Sequence, residues 1–390
     1  MLLMRNADVF APAPLGRCDL LLGGGSILWM GAAGTSSGYP KFLAAATDII
    51  DVAGARVIPG LIDCHAHITG GGGEAGFRTR VPPLPLSRFT MSGVTGVVGL
   101  LGTDDVARGP RELLAATFAL REEGLNAWCY TGGYHVPPAT LTGSVQSDLV
   151  FIEPMLGVGE LAISDHRSSQ PTLDELLRTA SAAHVAGLMT NKAGIVHLHL
   201  GDGPRGLDLV RRALATSELP ARVFHPTHVN RRRALFAEAI ELARLGSTVD
   251  ITAFPVADGE DALTAAQALT AYLASGAAPE RVTVSSDAGG CLPCFDAEGR
   301  VCSMDIGSAG ALLQTVRELL DQGMALERVL PAFTSNPAAL LRLQGKGSIR
   351  VQADADLVVL DKTGNAQTVI IRGEVHVRDA KPIRRGTFEI

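Results

Sequence analysis

Eight short apolar runs alternate with helical stretches through the middle of this 390-residue chain. The runs are VIPGLIDCHAH, TGVVGLLG, NAWCYTGGYHV, GVGELAIS, GIVHLHLG, RVFHPTHV, STVDITAF and RVTVSSD. Between them, PRELLAATFALREEG, TLDELLRTASAAHVAG, RALFAEAIELARLG and DALTAAQALTAYLASG carry apolar residues at i, i+3, i+4 and i+7, the spacing that gives a helix one apolar stripe. Strands covered on both faces read as continuous apolar runs, and parallel strands need helical crossovers between them. Eight such units predict an α/β fold, a (β/α)8 TIM-type barrel. An open doubly wound sheet is the alternative.

The two ends read differently. CDLLLGGGSILWMG and TDIIDVAGARVIPG near the start, and ADLVVLD, QTVIIRG and EVHVRD near the end, are short β runs broken by Gly or Asp. They predict a small β-sandwich domain built from both termini, residues 1–57 and 349–390, around a barrel of residues 58–348. Apolar residues make up 46% of the chain, enough for a core of that size, and the net charge is −6. The densest basic run is Arg231 to Arg233, so a nucleic-acid partner is not expected. No basic segment leads into an apolar stretch at the start, and no run of about 18 apolar residues suggests a membrane span. Six scattered cysteines suggest no disulfide framework. A cytoplasmic protein with reduced thiols is expected.

Barrel enzymes place their chemistry at the C-terminal ends of the strands. The polar residues of this chain fall there. His65 and His67 close the first run, two apart and therefore on one face. His199, His228 and Asp287 close three later runs. Four imidazoles and a carboxylate converging on one rim suit a borderline-soft divalent cation, zinc first. A two-metal site also needs a bridging anion. Glu160, the one acid in an otherwise apolar strand, is the candidate, since a buried carboxylate is costly unless paired or metal-bound.

At these residues the chain resembles the isoaspartyl (β-aspartyl) dipeptidases of the amidohydrolase superfamily. DCHAHITGGGGEAG, VVGLLGTD, TGGYHVPPATLTGSV, AISDHRSS, HLGD, PTHVNR and SSDAGG carry the resemblance, which runs nearly end to end. It implies two zinc ions (Zn2+) and hydrolysis of the isopeptide bond of a small dipeptide by a metal-bridging hydroxide. His65 and His67 would hold one metal with Asp287, and His199 and His228 the other. Asp287 would act as general base and acid. Glu74 would hold the substrate ammonium beside Thr103, Tyr134 would polarise the carbonyl, and Arg167 and Arg231 would grip carboxylate. The resemblance also implies a homo-oligomer, with an octamer as the form to look for.

Two departures stand out. The family commonly bridges its metals with a carboxylated lysine directly after GV, whereas this chain reads GVGE. The glutamate carboxyl lies three atoms closer to the backbone, so the strand must approach the metals. One extra residue, Gly159, is what a β-bulge there would use. Cys291 stands where the family usually has a pocket serine, a better hydrogen-bond donor than a thiol. The reading is a binuclear zinc isoaspartyl dipeptidase with a glutamate bridge. The alternatives are another amidohydrolase, such as an N-acyl amino acid deacylase or a cyclic-amide hydrolase, and a catalytically dead relative acting as a binding or assembly protein.

Overall fold

The computed structural model describes residues 1–34, 48–295 and 301–389. In chain order, β1 (Leu2–Phe10), β2 (Pro14–Gly23), β3 (Ser26–Ala32), β4 (Asp48–Asp51) and β5 (Arg56–Pro59) come first. The barrel strands follow as β6 (Leu61–Ala66), β7 (Val94–Gly99), β8 (Asn126–Thr131), β9 (Met155–Ile163), β10 (Ile195–Leu200), β11 (Phe224–Thr227), β12 (Val249–Thr252) and β13 (Val282–Ser285). A hairpin of β14 (Cys291–Phe295) and β15 (Val301–Ile306) comes next, and β16 (Leu357–Leu360), β17 (Ala366–Ile371), β18 (Glu374–Arg378) and β19 (Lys381–Pro382) end the chain.

Strands β6 to β11 form one parallel sheet in sequence order, and β12 pairs with β13. The ring closes at two seams. Between the last and first strands, Asp287 N donates to His65 O (3.2 Å) and His67 N donates to Ala288 O (2.7 Å). Between β11 and β12 the Asn230 side chain stands in for backbone pairing. Its amide donates to the carbonyls of Thr252 and Leu263 at 3.0 and 2.8 Å, and its oxygen accepts from Thr252 N at 2.9 Å. Helices 110–122, 173–190, 208–216, 233–244, 265–274 and 310–321 cover the outside. Those starting after Thr172 and Thr264 open on capping boxes with Glu175 and Gln267, which satisfy amides that have no partner within the helix. The eight expected barrel strands are all present as a (β/α)8 barrel. The helices at 145–151, 208–216 and 310–321 and the hairpin after Asp287 were not picked out from the sequence; those at 145–151 and 208–216 are only seven and nine residues long.

The terminal strands form a nine-stranded sheet in the order β19-β18-β17-β16-β5-β1-β2-β3, with β4 against β1. It folds back on itself. Ile27 N donates to Ala353 O (2.8 Å) and Gln352 N to Ile27 O (2.9 Å), joining β3 to the segment before β16. One face packs Met4, Leu20, Ile27, Val57 and Leu357 inside the fold. The other face sets Ile58, Val358, Val369 and Ile371 against the barrel core. This explains why the central strands of this sheet, β5, β16 and β17, read as apolar runs rather than alternations: both their faces are largely buried. At the junction, Lys346 Nζ reaches Asp354 and Asp356 (both 2.7 Å) and Asn126 Oδ1 (2.9 Å).

Candidate active site

Period-2 geometry puts His65 and His67 on one face of β6 and its extension, aimed into the barrel mouth. His199 comes from β10, His228 lies just past β11, and Asp287 just past β13. His228 and Asp287 both take left-handed backbone, φ +59° and +53°, uncommon for residues other than Gly and here used to turn a strand-end side chain inward.

Glu160 sits at the centre of this ring. One carboxylate oxygen lies 3.1 Å from His199 Nδ1, 3.6 Å from His65 Nε2 and 3.5 Å from His228 Nε2, and the other lies 3.5 Å from His67 Nε2. The strand is irregular here, as the extra glycine suggested. Val158 pairs with Val196 and Leu161 with Leu198, so Gly159 and Glu160 together oppose His197. A Cβ on Gly159 would lie 2.7 Å from His197 O, so only glycine fits. Gly102 is a second such position, where a Cβ would meet His67 Cε1 at 2.7 Å.

The electrostatics favour a cation. Asp287 Oδ1 lies 3.3 Å from His65 Nε2 and 3.1 Å from His67 Nε2. Yet Asp287 Oδ1, His65 Nε2 and His67 Nδ1 are buried without hydrogen-bond partners. Burial opposes ionisation of Glu160, but the His65 and His199 rings outweigh it and hold the carboxyl well below its usual range. Asp287 is likewise held low, against its burial, by His65 and His67. His65 is pushed up to about 9: burial opposes the charged ring, and Glu160 and Asp287 override it. His228 is pushed down to about 3 by burial, despite Glu160 beside it. The positive charge that offsets the two carboxylates therefore falls on the His65 ring, and a divalent cation on neutral imidazoles supplies that charge instead. The donor set fits two such ions. His65, His67 and Glu160 form one converging group, Glu160, His199 and His228 another, and Asp287 closes on His65.

The remaining predicted residues line the rim. Tyr134 is buried, its hydroxyl 2.8 Å from His199 Nδ1, and burial raises its phenol well above the usual value, so it stays a donor. Thr103 donates to Glu74 (3.0 Å), and Arg167 Nη1 reaches the same oxygen at 3.4 Å. Cys291 is a half-buried free thiol, raised by its burial and by Glu74 nearby. Arg167 and Arg231 converge on His199 Nε2, at 3.4 and 3.5 Å. Their forks are not equally free. Arg167 already grips Asp165 through Nε (3.1 Å) and Nη2 (2.7 Å), leaving Nη1 toward the mouth. Arg231 Nη1 donates to Leu200 O at 2.6 Å.

Sequence reasoning passed over Asp165. It accepts from His199 Nε2 at 3.0 Å, which leaves Nδ1 facing Glu160, and it holds Arg167. Asp165 lies within the SDHRS motif, so a signal was present. His197 was also missed, although it stands two residues before His199 on the same strand face.

A model of the amidohydrolase family matches residues 169–376. The structure is similar to a β-aspartyl dipeptidase from Fervidobacterium islandicum AW-1, solved in complex with β-Asp-Leu dipeptide. Identity is 40%, 98% of each chain is covered, and the TM-score is 0.89. A second structure of that organism's β-aspartyl dipeptidase gives 40% identity, 98% coverage of each chain and a TM-score of 0.88. N-acetylglucosamine-6-phosphate deacetylase from Pasteurella multocida shares the fold alone, at 14% identity and a TM-score of 0.64 over 97% of this chain and 100% of the other. The chain belongs to the amidohydrolase family, and within it is similar to β-aspartyl dipeptidase.

Proposed function

We propose that this protein hydrolyses the isopeptide bond of β-aspartyl dipeptides with two zinc ions. The observation that carries the reading is Glu160 within 3.1–3.6 Å of four histidines, below a rim that pairs an acid with two arginines. His65, His67 and Asp287 would hold one ion, His199 and His228 the other, and Glu160 would bridge them. When bound, the metals acidify a water and polarise the scissile carbonyl.

The side chains supply the rest. Asp287, held ionised, takes the proton of the attacking water and passes it to the nitrogen of the leaving amino acid. Water is consumed, the C–N bond breaks, and aspartate and the second amino acid are released. Tyr134 keeps its proton and donates to the developing oxyanion. Glu74 and Arg167 pair with each other at 3.4 Å. A dipeptide zwitterion exchanges that contact for two better ones, ammonium on Glu74 and carboxylate on Arg167 Nη1 and Arg231. A neutral cyclic amide makes neither contact, which separates this reading from a cyclic-amide hydrolase. Cys291 lines the same pocket and would contact the substrate.

Among the described residues no helix is long and apolar enough to cross a membrane. The same reading takes in a cytoplasmic location, a homo-oligomeric assembly, and a division into a terminal domain (1–57 with 349–390) and a barrel domain (58–348). The deciding assay compares β-Asp-Leu, α-Asp-Leu and N-acetyl amino acids with purified, zinc-loaded enzyme. Cleavage of β-Asp-Leu alone is expected, and cleavage of the acetyl compounds alone would overturn the reading.

A further inference from the structure

Below the histidine rim, the barrel interior holds a buried polar network that the proposed chemistry does not use. Two chains of contacts run through it. The first starts at His65. His65 Nδ1 lies 2.8 Å from His197 Nε2, and His197 Nδ1 lies 2.9 Å from His225 Nδ1. His225 Nε2 lies 3.2 Å from Thr283 Oγ1, which donates to Asp250 Oδ1 at 2.6 Å. The second chain starts at His228. His228 Nδ1 lies 2.8 Å from Thr252 Oγ1, Thr252 Oγ1 lies 3.3 Å from Thr227 Oγ1, and Thr227 donates to Asp250 Oδ2 at 2.7 Å. The two chains end on the two oxygens of one carboxylate, and Asp250 is fully buried.

The end point gives both chains a direction. An ionised carboxylate only accepts, while a hydroxyl has one proton to give. Thr283 and Thr227 spend theirs on Asp250, as do Ser285 on Oδ2 and the Cys64 thiol (3.5 Å) on Oδ1. Thr283 then accepts from His225 Nε2–H, which leaves His225 Nδ1 a lone pair. That nitrogen accepts from His197 Nδ1–H, and His197 Nε2 accepts from His65 Nδ1–H. By the same logic Thr252 donates to Thr227 and accepts from His228 Nδ1–H. Each nitrogen–nitrogen contact needs one proton and one lone pair, and for neutral rings only this arrangement supplies them throughout. Both ligand histidines thereby commit Nδ1–H to the chain and keep Nε2, 3.6 and 3.5 Å from Glu160, as the nitrogen turned to a metal, His65 giving up its second proton when a cation binds.

We propose that Asp250 is a positioning residue that sets the tautomers of His65 and His228 at once, through two separate hydrogen-bonded chains, and so prepares one ligand for each of two metals. The proposal rests on the ligand set proposed above. Metal-bound histidines commonly donate their second N–H to an anchoring group, which fixes the ring and strengthens the ligand. Here a single carboxylate serves both metals from inside the barrel, three side chains away from one and two from the other.

The chains separate the sites experimentally. Thr283→Val cuts the His65 chain alone and Thr227→Val the His228 chain alone, with little change of shape. Zinc affinity is measured for the two sites by chelator competition, and 15N-histidine spectra of the metal-free and zinc-loaded protein report each ring's tautomer. Each valine variant is expected to weaken one site about 10–100-fold and leave the other unchanged, the size typical of an outer partner's loss. In metal-free spectra recorded above pH 9, where both rings are neutral, the ring at the head of the cut chain should show mixed tautomers. Thr283→Ser and Thr227→Ser should restore both readouts, and Asp250→Asn should weaken both sites. Equal weakening of both sites by either valine variant, or unchanged affinities and spectra in both, would overturn the proposal. If the wild-type protein binds no divalent metal, the ligand reading fails, and the metal-free spectra still decide whether the chains fix the two tautomers.

Discussion

Gly159→Ala tests most directly how this chain brings a short acid to its metal centre. The added Cβ would lie 2.7 Å from His197 O and 2.8 Å from His197 Cβ, and an ordinary contact for such an atom begins near 3.4 Å. The difference, 3.4 − 2.7 = 0.7 Å, has to be absorbed by β9 and β10 moving apart, because the obstructing atom is backbone. The φ of +156° adds strain for any residue with a side chain. Glu160 is the next residue and reaches His199 at 3.1 Å. Catalytic groups tolerate displacements of about 0.5 Å, and roughly 1 Å of misplacement costs about 100-fold. We therefore expect kcat/KM on β-Asp-Leu to fall about 10–100-fold and zinc retention to drop with it. Stability should decrease by about 1–3 kcal/mol, as for an overpacked core. Gly157→Ala is the control, since its Cβ would meet Ile195 O at 2.6 Å in the same strand pair but three residues from Glu160. It should lose stability while keeping both metals. Wild-type kcat/KM and zinc content in Gly159→Ala would refute the idea that the bulge sets the carboxylate's reach.

Glu160→Lys with added bicarbonate should not rebuild a working site, because the Glu160 oxygens already lie 3.1–3.6 Å from four histidines and a carbamate reaches three atoms further; normal activity would show that the strand is not adapted to glutamate. Asp287→Asn should lower kcat by about 100- to 10,000-fold, the range for loss of a general acid–base group, and stopped assays over long times will measure it. His376 lies in the terminal sheet with both ring nitrogens buried and unpartnered, and burial, with Arg384 beside it, pushes it down to about 4. The folded state favours the neutral ring, so this contribution to stability is complete above about pH 6.5 and is lost as pH falls from about 6.5 to 4, by roughly 3 kcal/mol. His376→Leu should flatten that part of a Tm-against-pH curve, and an unchanged slope would refute it. Lys346→Met should destabilise the protein by about 3–5 kcal/mol in chemical denaturation, because it strands Asp356 without its cation.

Much of the molecule was legible in the chain itself. Period-2 and period-3.6 patterns are local properties, so the eight strands, four of the helices and the polar strand ends could be read without knowing what they pack against. Five of the six metal-site candidates were legible for the same reason: each closes an apolar run at its C-terminal end, where a barrel puts its mouth, while Glu160 stood out as the one acid inside an apolar strand. The bulge at Gly159 was readable only against the resembled family's pattern, because GVGE has one residue more than the lysine directly after GV, and a glycine is what a bulge uses.

What periodicity cannot tell is which side chain an inward residue meets across the barrel. His197 and His225 look like core positions until the fold sets them in line between His65 and Thr283. Asp250 looks like one acid in an apolar strand until β6, β11 and β13 surround it with a thiol and three hydroxyls. Arg167 looks free to grip a substrate until Asp165 takes two of its nitrogens. The sequence alone determined the barrel and the inward-facing histidines, because spacing along a strand fixes facing. The tertiary structure alone decided the partners, because residues such as Asp63 and Ser286, 223 positions apart, meet only once the ring has closed.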